Sequence, residues 1–234
     1  MDKTEPRLTE DVVVDAIEKW LGAPGLGYDF VRVGKLLATI DTARFIEKHM
    51  PTAPVYKNRR MLHRAALKKR RVKGLVLEFG VASGASINFL AGELPRETIH
   101  GFDSFEGLPE AWTGAYRKAH FAQPLPTVEA NVELVVGLFA DSLPGFLRDH
   151  PGPVSYLHVD CDLYSSTKTI FDCLGDRIRP GTVIVFDEYF NYPAWREHEH
   201  KAFTEFVEAR NVKFRFLGAV RSNVQAAVVI DSIG

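Results

Sequence analysis

The sequence predicts an α/β fold, a doubly wound and mostly parallel seven-stranded sheet with a helical segment in front of it. From residue 75 onward, short runs rich in Val, Ile and Phe alternate with stretches that have helical spacing. The first five runs are almost continuously apolar, which is typical of parallel strands buried on both faces. The last two runs are close enough in sequence to form an antiparallel hairpin at one edge of the sheet.

The predicted elements follow one another in a regular order. Seven strands are predicted at 75–79, 98–102, 132–136, 154–159, 182–186, 213–218 and 225–230. Helices are predicted among them at 85–94, 142–149, 165–178 and 196–210. Before the sheet, helical spacing covers 9–21, 31–49 and 58–71. The change in character near residue 74 divides the chain into an N-terminal helical cap or lid segment, 1–73, and an α/β domain, 74–234.

Composition limits the classes of protein and partner. The 234 residues suffice for one fairly large domain, and 46% hydrophobic with 25% charged residues is typical of a compact, soluble protein. A net charge of −1 gives no general reason to bind a polyanion, so nucleic acid is not an expected partner. Cys161 and Cys173 are too few for a disulfide framework, which favours a cytoplasmic location. No run approaches the roughly 18 apolar residues of a transmembrane helix, so no membrane anchor is expected.

For two charged stretches, a purely structural role is favoured over ligand or metal binding. Residues 57–73 contain nine Lys or Arg residues, which form either a basic patch for an anionic ligand or, as favoured, a charged helix face. His198 and His200 stand two apart on a predicted helix, point to nearly opposite sides and cannot share a metal. A solvated helix face is expected there.

A turn of small residues follows the first predicted strand, in the segment Glu78-Phe79-Gly80-Val81-Ala82-Ser83-Gly84-Ala85-Ser86. Gly80 and Gly84 let the backbone turn tightly and approach a ligand, and the next helix offers free N–H donors at its N-terminus. The spacing G-x-x-x-G is neither the dinucleotide pattern G-x-G-x-x-G nor a P-loop, which needs a Lys. A nucleotide-type loop and an ordinary turn between strand and helix both stay open.

Polar residues also follow the second and third strands. Asp103, in Gly101-Phe102-Asp103-Ser104-Phe105-Glu106-Gly107, either accepts the two hydroxyls of a ribose or caps a turn. Asp141 and Ser142 either hydrogen-bond an adenine or cap the next helix. Ligands of doubly wound sheets bind beyond the carboxyl ends of the strands, which makes these residues candidates for one site.

Pairs of acidic residues follow the fourth and fifth strands: Asp160 and Asp162, then Asp187 and Glu188. Four carboxylates at one sheet edge repel each other unless a cation offsets their charge or some of them cap helices. Asp162 is the candidate for a cap, because a helix is predicted from residue 165. Oxygen ligands favour Mg²⁺, Mn²⁺ or Ca²⁺ over Zn²⁺. The sequence therefore predicts a divalent-metal site at this edge.

Five segments, in this order, resemble class I S-adenosylmethionine-dependent O-methyltransferases, specifically the macrocin and mycinamicin sugar O-methyltransferase family: LEFGVASGASINFL, GFDSFEGLP, GLFADSLP, HVDCDLYSSTKTIFD and GTVIVFDEYF. The resemblance covers about residues 75–205. It implies the Rossmann-like class I methyltransferase fold, S-adenosyl-L-methionine as cofactor, and Mg²⁺ or Mn²⁺. It further implies methylation of a hydroxyl of a sugar or glycoside.

The resemblance also implies roles for individual residues. Its cofactor contacts are Glu78, Gly80, Ala82, Ser83, Gly84, Ser86, Asp103, Ser104, Phe105, Asp141, Ser142 and Asp160. Its metal ligands are Asp160, Asp187 and Glu188, although the family more often has Asp-Asp-Tyr where this chain has Asp187-Glu188-Tyr189. Asp160 or Asp162 then accepts the proton of the acceptor hydroxyl, and the sequence leaves open which of them does so.

The acceptor pocket is expected between the helical N-terminal third and the loop 110–127. This loop contains four side chains suited to stack on a sugar ring and bond its hydroxyls, Trp112, Tyr116, His120 and Phe121. The alternative is that these side chains only pack the loop onto the core. A homo-oligomer is compatible with the sequence, which does not specify one.

Three other functions stay open. A metal-dependent O-methyltransferase acting on a catechol or another phenol would share the sheet and the metal site. A nucleic-acid methyltransferase would use the basic segment, but Asp160-Cys161-Asp162-Leu163 stands where base methylation would have Asn/Asp-Pro-Pro-Tyr. A non-catalytic cofactor-binding module would not need the acidic residues.

Overall fold

The computed structural model describes residues 19–20, 22–23, 27–113 and 116–234. The helix predicted over 9–21 lies almost wholly outside these residues. Two short strands, β1 (Gly22–Ala23) and β2 (Gly27–Tyr28), pair with each other ahead of the main sheet. Among the described residues, no helix combines the length and the apolar character needed to cross a lipid bilayer.

The α-helices that flank the sheet lie close to the predicted ones. They are α1 (Phe30–His49), α2 (Arg59–Leu67), α3 (Ala85–Glu93), α4 (Phe139–Asp149), α5 (Tyr164–Leu174) and α6 (Glu199–Ala209). Side chains cap the first two: Asp29 accepts from Val31 N and Arg32 N, and Asn58 accepts from Met61 N. A 3-10 helix, Trp195–Glu197, precedes α6, which explains the helical spacing predicted from 196 onward.

The main sheet contains the seven predicted strands and one more. Its strands are β3 (Val55–Tyr56), β4 (Leu75–Phe79), β5 (Ile99–Asp103), β6 (Val132–Val136), β7 (Val154–Val159), β8 (Val183–Phe186), β9 (Lys213–Val220) and β10 (Ala226–Ser232). Their order is β3-β9-β10-β8-β7-β4-β5-β6. The five strands β8-β7-β4-β5-β6 are parallel, and β10 is antiparallel to β8 and β9. The predicted doubly wound, mostly parallel sheet is confirmed, and the additional strand β3 pairs with β9 over only two residues.

Helices cover both faces of the sheet, because successive side chains of a strand point to opposite faces. Along β4, Val76 belongs to the core shared with α2 and α3, whereas Leu77 and Phe79 belong to the core shared with α4, α5 and α6. The two apolar cores hold the parallel strands between them. Their carboxyl ends therefore meet at one edge.

The chain before residue 74 packs into the same two cores. Leu62 of α2 is fully buried on one face of the sheet, and Phe45 of α1 is buried on the other. Helix α1 also contacts the chain after β8, where Thr42 Oγ1 accepts a hydrogen bond from Asn191 N at 2.9 Å. This contact supports the segment that follows the second acid pair. The division into a cap, 1–73, and a domain, 74–234, stays a prediction.

Candidate functional site

The turn after β4 brings the backbones of neighbouring strands close together. Gly80 has a φ of +92°, and a Cβ atom there would lie 1.6 Å from the carbonyl oxygen of Asp160. Gly84, with a φ of +79°, is the left-handed residue that directly precedes α3. The backbone path requires a glycine at Gly80, since any side chain there would force β4 and β7 apart.

Asp103 holds this turn in place from the end of β5. Its Oδ2 atom accepts hydrogen bonds from Val81 N and Ala82 N, both at 2.9 Å, and its Oδ1 atom accepts from Phe105 N at 2.8 Å. A carboxylate has about four lone-pair sites, so these bonds leave about one for a ligand. The side chain therefore has room for one ribose hydroxyl, where the sequence suggested two.

A cavity of about 370 Å³ opens where the carboxyl ends of β4 to β8 meet. Its walls include seven of the residues that the sequence assigned to cofactor, metal or catalysis: Gly80, Ala82, Asp103, Ser104, Asp160, Asp162 and Glu188. The rest of the lining comes from the chain after β5, β6 and β7: Gly107, Leu108, Pro109, Trp112, Tyr116, Phe121, Gly137, Leu138, Phe139, Cys161 and Ser166.

Several residues with predicted cofactor contacts do not line this cavity. Ser83 is exposed, a Cβ atom at Gly84 would meet Pro126, and Phe105 packs against the core on the α2 and α3 face. Asp141 and Ser142 lie in the first turn of α4, which begins at Phe139 rather than near residue 142 and has no side-chain cap. The Ser142 hydroxyl donates to Leu138 O at 2.9 Å. The backbone of 137–139 borders the cavity in their place.

Glu78 and Ser86 also lie away from the cavity. Glu78 is fully buried, and its Oε1 atom accepts a hydrogen bond from the Ser86 hydroxyl at 2.9 Å. Its Oε2 atom lies 2.9 Å from Nδ1 of His158, a buried residue of β7. The Glu78 carboxylate is therefore bonded within the protein, where it orients the His158 ring.

Strands β7 and β8 bring the predicted acids together. Val159 pairs with Phe186 in the parallel ladder, so the next residues, Asp160 and Asp187, lie side by side at the sheet edge. One ligand atom from each of His158, Asp160 and Asp187 lies within 4.8 Å of the other two. His158 is a residue of this cluster that the motifs of the sequence did not single out. Its spacing of two from Asp160 on a strand was a usable signal, because such residues point to the same side.

Asp162 does not cap a helix, and that prediction is wrong. Helix α5 begins at Tyr164, its N-cap residue is Leu163, and no side chain caps it. Asp162 has a φ of +62°, a left-handed conformation that costs non-glycine residues about 1–3 kcal/mol. Its side chain lines the cavity. The strained turn thus presents this carboxylate to the cavity instead of to the helix.

Burial and mutual repulsion change the pKa values of the acidic residues. Burial, followed by the neighbouring carboxylates, raises the pKa values of Asp160, Glu188 and Glu199 well above the usual range. Burial and the charge of Asp187 raise the pKa of Asp162 to about 7. Burial would raise the pKa of Asp187 as well, but the adjacent His158 lowers it. The carboxyl groups other than that of Asp187 therefore lack a compensating positive charge.

His158 is the one basic side chain within this cluster of described residues, and the charge of Arg59 also lowers the pKa of Asp187. Burial alone would lower its pKa, but the carboxylates of Glu78 and Asp187 raise it well above the ordinary value. Its Nε2 atom lies 3.8 Å from Asp187 Oδ1, which is too long for a regular hydrogen bond. One imidazolium cannot offset the carboxylates Asp160, Asp162, Asp187, Glu188 and Glu199.

Buried polar atoms of the cluster have no hydrogen-bond partner among the described residues: His158 Nε2, Asp187 Oδ1, Glu188 Oε2 and Glu199 Oε1. Each such atom costs about 1–3 kcal/mol unless a ligand satisfies it. Carboxylate oxygens whose negative charge is not compensated fit a hard divalent cation such as Mg²⁺ or Mn²⁺. Glu199 was also missed in the sequence, and its Oε2 atom accepts from Glu188 N at 3.0 Å.

The expectation of a solvated face at His198 and His200 is wrong for His200 and for Glu199 between them. Glu199 is fully buried, and the His200 ring packs against Trp195, Tyr189 and Phe45 with centroid distances of 4.7, 5.2 and 5.5 Å. Burial, together with the nearby Arg196, lowers the pKa of His200 to about 4. Helix α1 covers this part of α6, an interaction between distant segments that helical spacing does not reveal.

The loop between β5 and β6 forms an aromatic wall of the cavity. Trp112 stacks on Tyr116 with 5.2 Å between ring centroids, and Tyr116 stacks on Phe121 at 5.5 Å. All three rings line the cavity, whereas the exposed His120 does not. The indole Nε1 atom of Trp112 is buried without a hydrogen-bond partner among the described residues, so it can donate to a bound group.

The basic segment 57–73 forms ion pairs with the end of α3 and with the chain just after it. Arg64 pairs with Glu93 at 2.9 Å and Arg70 pairs with Glu97 at 2.7 Å. Arg60 and Arg64 also lie over the Phe89 ring, at 5.4 and 5.3 Å from its centroid. These contacts support the favoured interpretation of a charged helix face.

Known proteins resemble this chain in sequence. A family model described as a methyltransferase domain matches residues 77–189. The Streptomyces olivaceus enzyme 8-demethyl-8-(2,3-dimethoxy-alpha-L-rhamnosyl)-tetracenomycin-C 4'-O-methyltransferase is 32% identical over 141 residues. That alignment covers 50% of this chain and 54% of the relative, so it spans about half the length of the curated relative.

Solved structures resemble the chain in fold at lower identity. The calicheamicin methyltransferase CalS11 has a TM-score of 0.58 at 19% identity, with 98% of each chain covered. The O-methyltransferase NovP has a TM-score of 0.57 at 19% identity, with 74% of this chain and 80% of NovP covered. The sheet order, the position of the cavity and these likenesses together show that the chain has the Rossmann-like α/β fold of the class I methyltransferases.

Proposed function

We propose that this protein is an S-adenosylmethionine-dependent O-methyltransferase that methylates a hydroxyl of a sugar or glycoside with the aid of a divalent cation. The observation that carries the proposal is one cavity in which the glycine turn and Asp103 face the acidic residues and the aromatic wall. A cofactor-binding module has no need of the acidic residues. The tetracenomycin-C 4'-O-methyltransferase supports a sugar hydroxyl as acceptor, because its name describes a rhamnosyl substrate.

The cofactor is assigned to the side of the cavity formed by β4, β5 and β6. Gly80 has no side chain and Ala82 only a methyl group, so the methionine part of the cofactor can approach the backbone closely here. Asp103 keeps about one acceptor site for a ribose hydroxyl. The backbone of 137–139 and the ring of Phe139 offer an apolar surface for the adenine.

Asp160, Asp187 and Glu188 are the proposed ligands of the cation. Glu78 binds Nδ1 of His158 and so directs Nε2 toward Asp187, which fixes the position of one ligand before any ion binds. A bound Mg²⁺ or Mn²⁺ would lower the pKa of an acceptor hydroxyl held next to it.

The proposed reaction is an in-line displacement. The acceptor oxygen forms a bond to the methyl carbon while the carbon–sulfur bond breaks, and S-adenosylhomocysteine leaves. Asp162 accepts the hydroxyl proton, since it lines the cavity and stands outside the group formed by His158, Asp160 and Asp187. Holding both reactants in place supplies roughly 7–11 kcal/mol, and proton transfer to a base adds about 10²–10⁴-fold.

The aromatic wall is the proposed binding surface for the acceptor. The stacked rings of Trp112, Tyr116 and Phe121 suit the apolar face of a sugar, and the Trp112 indole N–H can donate to a ring hydroxyl. The same wall would also accommodate a flat phenol, so a catechol-type O-methyltransferase is the second candidate.

Calorimetry and an acceptor panel test these assignments in turn. S-adenosylhomocysteine should bind one equivalent per chain and NAD should not bind, because the turn lacks the dinucleotide glycine spacing. NAD binding without any response to S-adenosylhomocysteine would contradict the cofactor assignment. Turnover of glycosides and phenols at equal concentration then identifies the acceptor class, and a strong preference for catechols would favour the second candidate.

A further inference from the structure

Three potential metal ligands meet on the face of the sheet that α4 covers. His100 on β5 and Glu133 on β6 are directly paired in the parallel ladder, so their side chains leave the same face. His150 directly follows α4, and its ring centroid lies 4.9 Å from that of His100. One ligand atom from each of the three residues lies within 4.8 Å of the other two.

This cluster is separate from the cavity. His100 is the second residue of β5, and Asp103 ends that strand at the cavity wall. Three residues of strand correspond to about 10 Å. None of the three residues lines the cavity, so a ligand bound between them would not touch the cofactor or the acidic residues.

The hydrogen bonds within the cluster leave ligand atoms free. The His100 side chain is 8% exposed, and its Nδ1 atom lies 3.2 Å from a Glu133 carboxylate oxygen without forming a well-aligned hydrogen bond. The Nδ1 atom of His150 lies 3.0 Å from Phe146 O, to which it donates, so the lone pair of the ring is on Nε2. An outer hydrogen bond of this kind orients the histidine ligands of many metal sites.

The positions of the rings are set by packing, and the site is open to solvent. His150 stacks on Phe146 at 4.0 Å between centroids, and His100 meets the edge of the same ring at 4.8 Å. The Glu133 side chain is 63% exposed, which gives an ion a route from solvent. Two imidazoles and one carboxylate suit Zn²⁺ and related transition metals better than Mg²⁺, which takes oxygen ligands.

We propose that His100, Glu133 and His150 form a second metal site, selective for a divalent transition-metal ion such as Zn²⁺. The ion would join β5, the edge strand β6 and the end of α4. It is therefore expected to stabilise this edge of the sheet without taking part in methyl transfer.

Co²⁺ is a suitable probe, because imidazole-bound Co²⁺ absorbs visible light and the readout does not depend on turnover. Titrations in excess Mg²⁺ compare the natural sequence with Glu133→Gln and His150→Gln, whose side chains reach the surface, so the buried His100 stays in place. His49→Gln changes an exposed histidine of α1 and is the matched control. Asp187→Asn disables the proposed catalytic cation site and shows whether Co²⁺ binds there instead.

The natural sequence, His49→Gln and Asp187→Asn should each bind one Co²⁺ that Zn²⁺ displaces, and the two test variants should bind it at least about tenfold more weakly. Zn²⁺ should raise the melting temperature of the natural sequence and leave that of the test variants unchanged. The proposed site would be contradicted if Co²⁺ did not bind or if the test variants bound it with unchanged affinity. Loss of the signal in Asp187→Asn alone would also contradict it. His100 and Glu133 would then form only a close polar contact.

Discussion

The role of Glu78 differs between the family resemblance and the structure. The family resemblance gives it a cofactor contact, whereas the structure bonds its carboxylate to Ser86 and His158, behind the proposed cation site. Glu78→Gln should therefore lower affinity for the activating cation by about 10- to 100-fold and leave the affinity for S-adenosylhomocysteine within about twofold. Activation curves with Mg²⁺ and calorimetry measure the two effects.

The control for this prediction is Glu93→Gln, which changes an exposed glutamate of α3 that pairs with Arg64. It should change neither quantity. A large loss of S-adenosylhomocysteine affinity in Glu78→Gln, with the cation response intact, would show that Glu78 contacts the cofactor instead.

Asp103 gives a contrasting prediction on the other side of the cavity. Asp103→Ala removes the acceptor of three backbone N–H groups as well as the proposed ribose contact. Affinity for S-adenosylhomocysteine should fall by about 1–3 kcal/mol, which calorimetry measures directly. Glu106→Gln, at an exposed position of the same loop, is the matched control and should bind normally. An unchanged affinity in Asp103→Ala would remove this residue from the cofactor site.

The loop after β5 carries the proposed binding surface for the acceptor. Trp112→Ala removes one stacked ring and the free indole N–H, and it should raise KM for the acceptor on the order of tenfold while the Kd of S-adenosylhomocysteine stays unchanged. Leu125→Ala, at an exposed position later in the loop and outside the cavity lining, should affect neither. Equal losses of acceptor and cofactor binding in Trp112→Ala would mean that the ring only packs the loop onto the core.

The half-buried ring of His200 in α6 leads to a prediction about how stability depends on pH. The pKa of His200 is about 4 in the folded protein, below its ordinary value of 6.5. Between these two values the unfolded chain binds a proton that the folded chain does not, so stability is complete above about pH 6.5 and falls as the pH drops toward 4.

His200→Phe should reduce this loss by about 2 kcal/mol between pH 7 and pH 4.5, a figure discounted for the partial exposure of the ring. Denaturant unfolding at the two pH values measures the difference. His120→Phe, at an exposed position of the aromatic loop, should show the same pH dependence as the natural sequence. A pH dependence in His200→Phe equal to that of the natural sequence would contradict the role of His200.

The elements differ in how much of their role could be predicted from the sequence. The apolar runs of β4 to β8 predicted the parallel sheet, and the acids that follow β7 and β8 predicted a cation site at its edge. The roles of Glu78 and His158 were not predicted, because their contact depends on the pairing of β4 with β7. The burial of Glu199 was not predicted, because α1 packs on α6 from elsewhere in the chain. Asp141 and Ser142 were predicted to lie at the start of the helix, but α4 already begins at Phe139, so both residues lie within its first turn.

Charge is distributed unevenly over the whole molecule. The net charge of the chain is −1, yet five carboxyl groups converge at one edge of the sheet: Asp160, Asp162, Asp187, Glu188 and Glu199. The N-terminal helices add to this arrangement, because α1 packs on the segment after Glu188. The fold thus holds a locally unfavourable charge cluster in place next to the cavity.

Methyl transfer from labelled S-adenosylmethionine to a glycoside is the most direct measurement, made on one preparation before EDTA, after EDTA and after Mg²⁺ is restored. The natural sequence should transfer one methyl group per acceptor hydroxyl, lose activity on the order of 100-fold with EDTA and recover it with Mg²⁺. Asp187→Asn should stay inactive after Mg²⁺ is restored, whereas Asp172→Asn, an exposed aspartate of α5, should recover fully. Full activity in EDTA, or no transfer to any glycoside, would contradict a cation-dependent sugar O-methyltransferase.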